Sequence, residues 1–147
     1  VARVMGLDDP TKKMSKSSPN ASSFINLIES PDIIRKKIKT AVTDSGAEIK
    51  YDLQNKAGVS NLLSIYSAFS GKAIPKLEIE YEDKNYGQFK YDIAELLIKK
   101  LSPIQKKYNA LLKNKKTLVK ILDEGAKNAS KSAEKTMKLV REKIGLI

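Results

Sequence analysis

Along most of this chain apolar side chains return every three or four residues, and that rhythm admits little besides helices. Val59, Leu62, Leu63, Tyr66 and Phe69 recur at helical spacing, with Gly71 as the stop. Ser30-Pro31 reads as a cap followed by proline at the first helical position, opening a helix that turns Ile33, Ile34, Ile38 and Val42 inward. Asn20 is placed to cap an earlier helix carrying Phe24, Leu27 and Ile28, and Ile74–Tyr81 reads as a short helix entered at Pro75. Gly87 marks the turn near the start of a long helix with Phe89, Ile93, Leu96, Leu97 and Leu101. Pro103 is expected to kink or break that helix, because proline removes a backbone bond and its ring clashes with the preceding turn. The pattern resumes at Ile104, Tyr108, Leu111 and Leu112. The last helix carries Leu118, Leu122, Ala126, Ala129, Ala133, Met137, Val140 and Ile144, and its alanine centre suits close approach of a neighbouring helix. Residues 43–57 are polar and read as a connection. Val1–Leu7 is partly β-branched and reads as a strand remnant, since one strand cannot form a sheet alone. The expected class is all-α: a helical bundle with a short N-terminal strand remnant and one long polar loop after it.

That loop is Pro10-Thr11-Lys12-Lys13-Met14-Ser15-Lys16-Ser17-Ser18-Pro19-Asn20. It crowds lysines and hydroxyl side chains between two prolines, through which neither helix nor strand runs comfortably. Lysine supplies a mobile point charge with three donors, and serine and threonine supply small hydroxyls. The combination suits a polyphosphate that is bound, moved and released. A solvated Lys/Ser-rich loop is the ordinary alternative.

Charge adds a second constraint. The chain has 147 residues and a net charge of +11, yet only three of its 28 basic residues are arginine (Arg3, Arg35 and Arg141). Lysine, isoleucine and asparagine are all abundant, so part of the excess fits codon bias alone. Its distribution is harder to dismiss. Residues 99–147 hold 14 basic and 4 acidic side chains, whereas residues 1–98 hold 14 and 13. A basic surface on one side is what a phosphate backbone selects. Within the last helix Lys127, Lys131, Lys135 and Lys138 repeat at four, four and three on one face, which reads equally as a solvated face or as direct RNA contact. With no cysteine there is no disulfide or thiolate site, and with no histidine either a zinc site is not expected. No apolar run approaches the ~20 residues that span a bilayer, and the N-terminus lacks a signal-peptide pattern. A cytoplasmic protein is the expectation.

Lys13-Met14-Ser15-Lys16-Ser17 spells KMSKS, and its flanks are Leu7-Asp8-Asp9-Pro10-Thr11-Lys12 and Ser18-Pro19-Asn20. Further on come Ala41-Val42-Thr43-Asp44-Ser45, Gly58-Val59-Ser60-Asn61-Leu62-Leu63-Ser64-Ile65-Tyr66, Tyr86-Gly87-Gln88-Phe89-Lys90, Pro103-Ile104-Gln105 and Leu122-Asp123-Glu124-Gly125-Ala126. In these stretches, over essentially its whole length, the chain resembles the bacterial tryptophanyl-tRNA synthetases, a class I aminoacyl-tRNA synthetase family. The sister tyrosyl enzymes usually carry Phe-Gly where this chain has Met14-Ser15. Class I enzymes pair this loop with a His-Ile-Gly-His element, and this chain has no histidine. The resemblance therefore implies a C-terminal part of the enzyme, beginning just before the ATP loop. Residues 1–19 would end the catalytic nucleotide-binding domain, and residues 20–147 would form the helical anticodon-binding domain with the C-terminal helix.

The implied reaction joins tryptophan to ATP, releases pyrophosphate and passes the tryptophanyl group to tRNA(Trp). By resemblance Lys13 and Lys16 take the catalytic role on the leaving pyrophosphate. Ser15 and Ser17 donate to phosphate oxygens, Met14 packs near adenine, and the backbone of Val4 contacts adenine. Lys12 lies outside the motif and is left as electrostatic support. ATP with Mg2+ would be substrate of the full-length enzyme, with none bound by the fragment alone, which is expected to be inactive. The implied partners are tRNA(Trp), ATP and tryptophan, with a homodimer formed through the N-terminal domain; no metal site, membrane or DNA partner is implied. Position 18 is serine where relatives commonly have aspartate; serine caps nearly as well but forms no ion pair. A free-standing basic helical module that binds RNA without catalysis is the competing reading.

Overall fold

The computed structural model describes residues 3–146. Among these are five α-helices and no named strand: α1 Pro31–Thr40, α2 Ala57–Ser70, α3 Ile74–Glu80, α4 Tyr86–Lys113 and α5 Lys115–Lys143. The chain divides into two compact units, Val1–Gln105 and Lys106–Ile147. α4 contributes Tyr86–Gln105 to the first unit and its remaining residues to the second.

The first unit holds the core. Ile34 and Ile38 of α1, Val59, Leu62 and Leu63 of α2, Leu77 of α3, and Phe89, Ile93, Leu97 and Leu101 of α4 are buried together with Leu7, Ile49 and Tyr81. These are the positions that the three-and-four spacing selects. Tyr66, Tyr81 and Phe89 form an aromatic knot with centroids 5.0–6.2 Å apart, and the Tyr81 hydroxyl donates to Asp92 at 2.8 Å. Burial pushes the Tyr81 hydroxyl far above its usual range, so it remains a donor. Gly71 ends α2 at φ 75°, a left-handed position that suits glycine.

Three expectations change. No helix forms over residues 20–28: Asn20 caps only a single 3₁₀ turn, Ala21–Ser23, by accepting the Ser22 N–H, and Leu27 and Ile28 are half exposed. The carbonyls that a helix would use are taken by side chains from elsewhere. Lys37 donates to Phe24 O at 2.8 Å, and Gln105 donates to Leu27 O and Glu29 O at 2.9 and 3.0 Å. On α1 only Ile34 and Ile38 of the four proposed residues go inward; Ile33 and Val42 are exposed, and Val42 lies beyond the helix end. α4 runs through Pro103 without a break. Pro103 and Lys99 are both exposed, so this turn, in which the Lys99 carbonyl loses its partner, lies at the solvent-facing surface. No residue of α5 is buried. The strand remnant amounts to one antiparallel bridge, Met5–Lys13; Val1 and Ala2 lie outside the described residues.

Candidate nucleotide loop and basic helix

The bridge is the root of the KMSKS loop. Gly6 N–H donates to Lys12 O at 2.8 Å and Met14 N–H to Val4 O at 2.9 Å, which flank the Met5–Lys13 pairing. The backbone pairing that the two prolines were expected to deny the loop is thus present at residues 12–14. The root is tied further into the fold: Leu7 N–H donates to Ser23 O, and Leu7 O accepts from Val42 N–H at 2.7 Å. On its other side Met5 N–H donates to Asn61 Oδ1, and Asn61 Nδ2 donates to Met5 O, both at 2.9 Å. Asn61 is 5% exposed. It stands where a neighbouring strand would, presenting one acceptor and one donor to the same residue.

The turn from Asp8 to Lys12 is closed by carboxylates. Asp9 Oδ1 accepts the Thr11 N–H at 3.0 Å and the Thr11 hydroxyl at 2.5 Å, and Asp9 Oδ2 pairs with the Lys12 ammonium at 2.8 Å. The Lys12 and Thr11 bonds hold the Asp9 carboxyl at about 2. Asp8 Oδ2 accepts from Asn20 Nδ2 at 2.6 Å, and hydrogen bonding from Ser23 first, then Asn20, lowers its carboxyl too. Lys12, Lys13 and Lys16 are all exposed, and of the three Lys12 is paired, with Asp9.

Beyond the root the loop bonds to itself. Ser18 N–H donates to Ser15 O at 3.1 Å, the Ser15 and Ser17 hydroxyls lie 2.9 Å apart, and Ser18 Oγ accepts from Asn20 N–H at 3.3 Å. Lys13, Ser15 and Ser17 line one concavity of about 410 Å³, with Asp8, Asp9 and Lys12 on its wall. Lys16 is not among its lining residues. Val4 and Met14 are half buried and pack against the core. The structure thus gathers half of the sequence-nominated nucleotide residues and leaves Lys16, Val4 and Met14 outside that concavity.

Sequence reasoning gave no role to a polar cluster beside α4. The Tyr86 hydroxyl donates to Asp44 Oδ1 at 2.8 Å, and Lys56 Nζ lies 3.2 Å from the same oxygen. Burial raises the Asp44 carboxyl, but bonds from Tyr86, the Gly46 N–H and Lys56 outweigh it and the net shift is downward. Lys90 donates to Ala41 O at 2.8 Å, and burial pushes its ammonium down. The signal was available: Ala41–Ser45 and Tyr86–Lys90 are two of the stretches that carry the resemblance, and their side chains meet here.

In the second unit, Asn114 caps α5 by accepting the Thr117 N–H at 3.1 Å. Lys127, Lys131, Lys135 and Lys138 are all exposed, on the face of α5 opposite Leu118, Leu122, Ala129 and Val140. Lys138 lies 4.0 Å from Glu142, a loose exposed pair of little energetic weight. No helix of the described residues is long and apolar enough to cross a membrane.

Comparison with known proteins places the chain in a family. The family described as class I tRNA synthetases (W and Y) matches residues 1–102. The tryptophan–tRNA ligase of Bacillus anthracis is 51% identical over 145 residues, which is 99% of this chain and 44% of that protein. The Listeria monocytogenes ligase is 52% identical with the same coverage. The crystal structure of Campylobacter jejuni tryptophanyl-tRNA synthetase complexed with ADP and tryptophan superposes with a TM-score of 0.73 at 37% identity, covering 99% of this chain and 44% of that one. The chain spans less than half the length of the relatives it matches and corresponds to their C-terminal part. On a match that takes in the KMSKS loop, its bridged root and the helices α1 to α3, the chain belongs to the class I tRNA synthetases of the W and Y type.

Proposed function

We propose that this chain is the ATP-loop and tRNA-binding portion of a tryptophan–tRNA ligase, which activates tryptophan with ATP and transfers it to tRNA(Trp). The observation that carries the reading is the loop itself. A KMSKS segment sits on a bridged root with Lys13, Ser15 and Ser17 on one concavity, in a chain about half identical to tryptophan–tRNA ligases. Negative charge builds on the bridging and leaving phosphate oxygens as pyrophosphate departs. Lys13 and Lys16 would meet that charge, and the Ser15 and Ser17 hydroxyls would exchange their mutual bond for phosphate oxygens. Val4 and Met14 would border the adenine. Met14 is fixed for this by its backbone bond to Val4, and Lys12, already paired with Asp9, acts as support only.

Mg2+ would enter as part of the nucleotide substrate. Among the described residues no three carboxylates gather to hold a metal, and Asp8 and Asp9 are engaged by Asn20, Thr11 and Lys12. ATP's own phosphates would bring the ion to the loop. The exposed Lys127, Lys131, Lys135 and Lys138 face of α5 would take tRNA phosphates. The intact protein would be a cytoplasmic homodimer.

The test is single-turnover adenylate formation by the intact protein. Lys16→Ala, and likewise Lys13→Ala, is expected to slow that step by roughly 10²–10³ while leaving tryptophan affinity near wild type. An unchanged rate removes the loop from the chemistry. This chain by itself is expected to show no tryptophan-dependent exchange of pyrophosphate into ATP.

A further inference from the structure

We propose that Asn61 is a positioning residue for the ATP loop: from α2 it grips Met5 and so sets the strand against which the KMSKS segment is registered. The inference rests on the functional reading above and extends it to a residue that never meets the nucleotide.

The geometry is specific. Met5 is held on one edge by the loop, through its bridge with Lys13 and the Gly6–Lys12 and Val4–Met14 backbone bonds. It is held on the other edge by both polar atoms of the Asn61 amide, at 2.9 Å each. A single bridge is marginal in water; the Leu7 bonds to Ser23 and Val42 anchor the chain beyond it, and at Met5 itself the second edge is Asn61. A one-residue slip would turn every side chain of the segment to the opposite face and move Lys13 away from the concavity it shares with Ser15 and Ser17. Asn61 can act as that second edge because its own position is fixed. It is 5% exposed, lies one turn into α2 and is flanked by the buried Ser60 and Leu62. Its amide supplies the donor and the acceptor that a strand would supply, and losing either bond would leave a half-buried Met5 backbone group without its protein partner. Other members of the core hold α2 by apolar packing; Asn61 alone among the described residues bonds α2 to the strand under the loop.

The experiment compares Asn61→Ala, Asn61→Asp, Ser60→Ala and Lys16→Ala in the intact protein. Ser60 is the control: it is fully buried next to Asn61, but its hydroxyl accepts from Asp52 N–H at 2.8 Å and has no bond to the loop root. Single-turnover adenylate formation, tryptophan binding, thermal unfolding and hydrogen exchange over residues 4–14 are measured for each. Asn61→Ala is expected to slow adenylate formation by about tenfold or more, because small misplacement of a catalytic group is costly, with tryptophan affinity unchanged. Exchange at Met5 and Met14 should rise with it. Asn61→Asp keeps the volume and the acceptor for Met5 N–H but loses the donor, so it should show the same signature if Asn61→Ala does not fold. Ser60→Ala should lower the unfolding temperature without changing adenylate formation. If Asn61→Ala and Asn61→Asp behave as Ser60→Ala does while Lys16→Ala is slow, the positioning role is wrong and the functional reading stands. If Lys16→Ala is itself without effect, the functional reading fails and the role of Asn61 falls with it.

Discussion

The Lys37 ammonium lies 2.6 Å from Glu29 Oε1, and the two side chains are only 9% and 17% exposed. Lys37 also donates to Phe24 O at 2.8 Å and sits 4.9 Å above the Phe24 ring. One lysine thus stands in for the backbone bonds of a helix that the segment after the loop does not form. Removing one partner of a buried pair strands the other charge, so Lys37→Ala is expected to destabilise the protein by about 3–5 kcal/mol. Urea unfolding measures it. A loss below about 1 kcal/mol, as for an exposed pair, would show that the pair does not hold this segment.

Gly58 sets how closely α2 approaches the chain leaving α1. A Cβ there would overlap the carbonyl oxygen of Val42 and lie 3.0 Å from its carbonyl carbon. Both neighbours are backbone, and Val42 N–H is bonded to Leu7 O at 2.7 Å, so neither can step aside without disturbing the loop root. Gly58→Ala is expected to cost about 1–3 kcal/mol or more. Equal stability of Gly58→Ala and the parent in denaturant titration would mean the contact is looser than this.

Asp9 is expected to titrate near 2, held down by Lys12 first and then by Thr11. Its folded value lies below the ordinary 3.8. The stability it contributes is therefore complete above that value and is lost as pH falls through about 2. Lys12→Ala should move the carboxyl up toward its ordinary range. Carbon NMR of the Asp9 side chain across an acid series decides it; an unshifted value in the parent would dissolve the clamp at the start of the loop.

If the α5 lysine face takes RNA phosphates, changing Lys127, Lys131 and Lys135 together to glutamine should weaken tRNA binding and flatten its salt dependence. Neutralising roughly four to six phosphates gives a log–log slope of about −3 to −4 for single strands. Helicity should persist, since glutamine is a similar helix former, and Asn114 still caps α5. Binding measured over a salt series tests this. The same slope and affinity in the triple variant would assign the face to solvent and the lysine excess to composition. Base readout is a separate matter, because phosphate contacts position RNA without specifying it.

Local sequence signals carry the helices α1 to α5 in outline, the end of α2 at Gly71, the loop and the family. These rest on local signals: apolar periodicity, a glycine stop and a contiguous motif. Tertiary structure decided what local signals cannot carry. It chose a 3₁₀ turn over a helix after Asn20, because Lys37 and Gln105, the latter 78 residues from Leu27, took the carbonyls. It kept α4 whole at Pro103, on an exposed turn of the helix. It committed Lys12 to Asp9 and gave Met5 a partner 56 residues away in Asn61. Periodicity states which face of an element is apolar; it holds no record of which distant side chain completes a backbone bond, and that pairing is what holds the root of this loop in register.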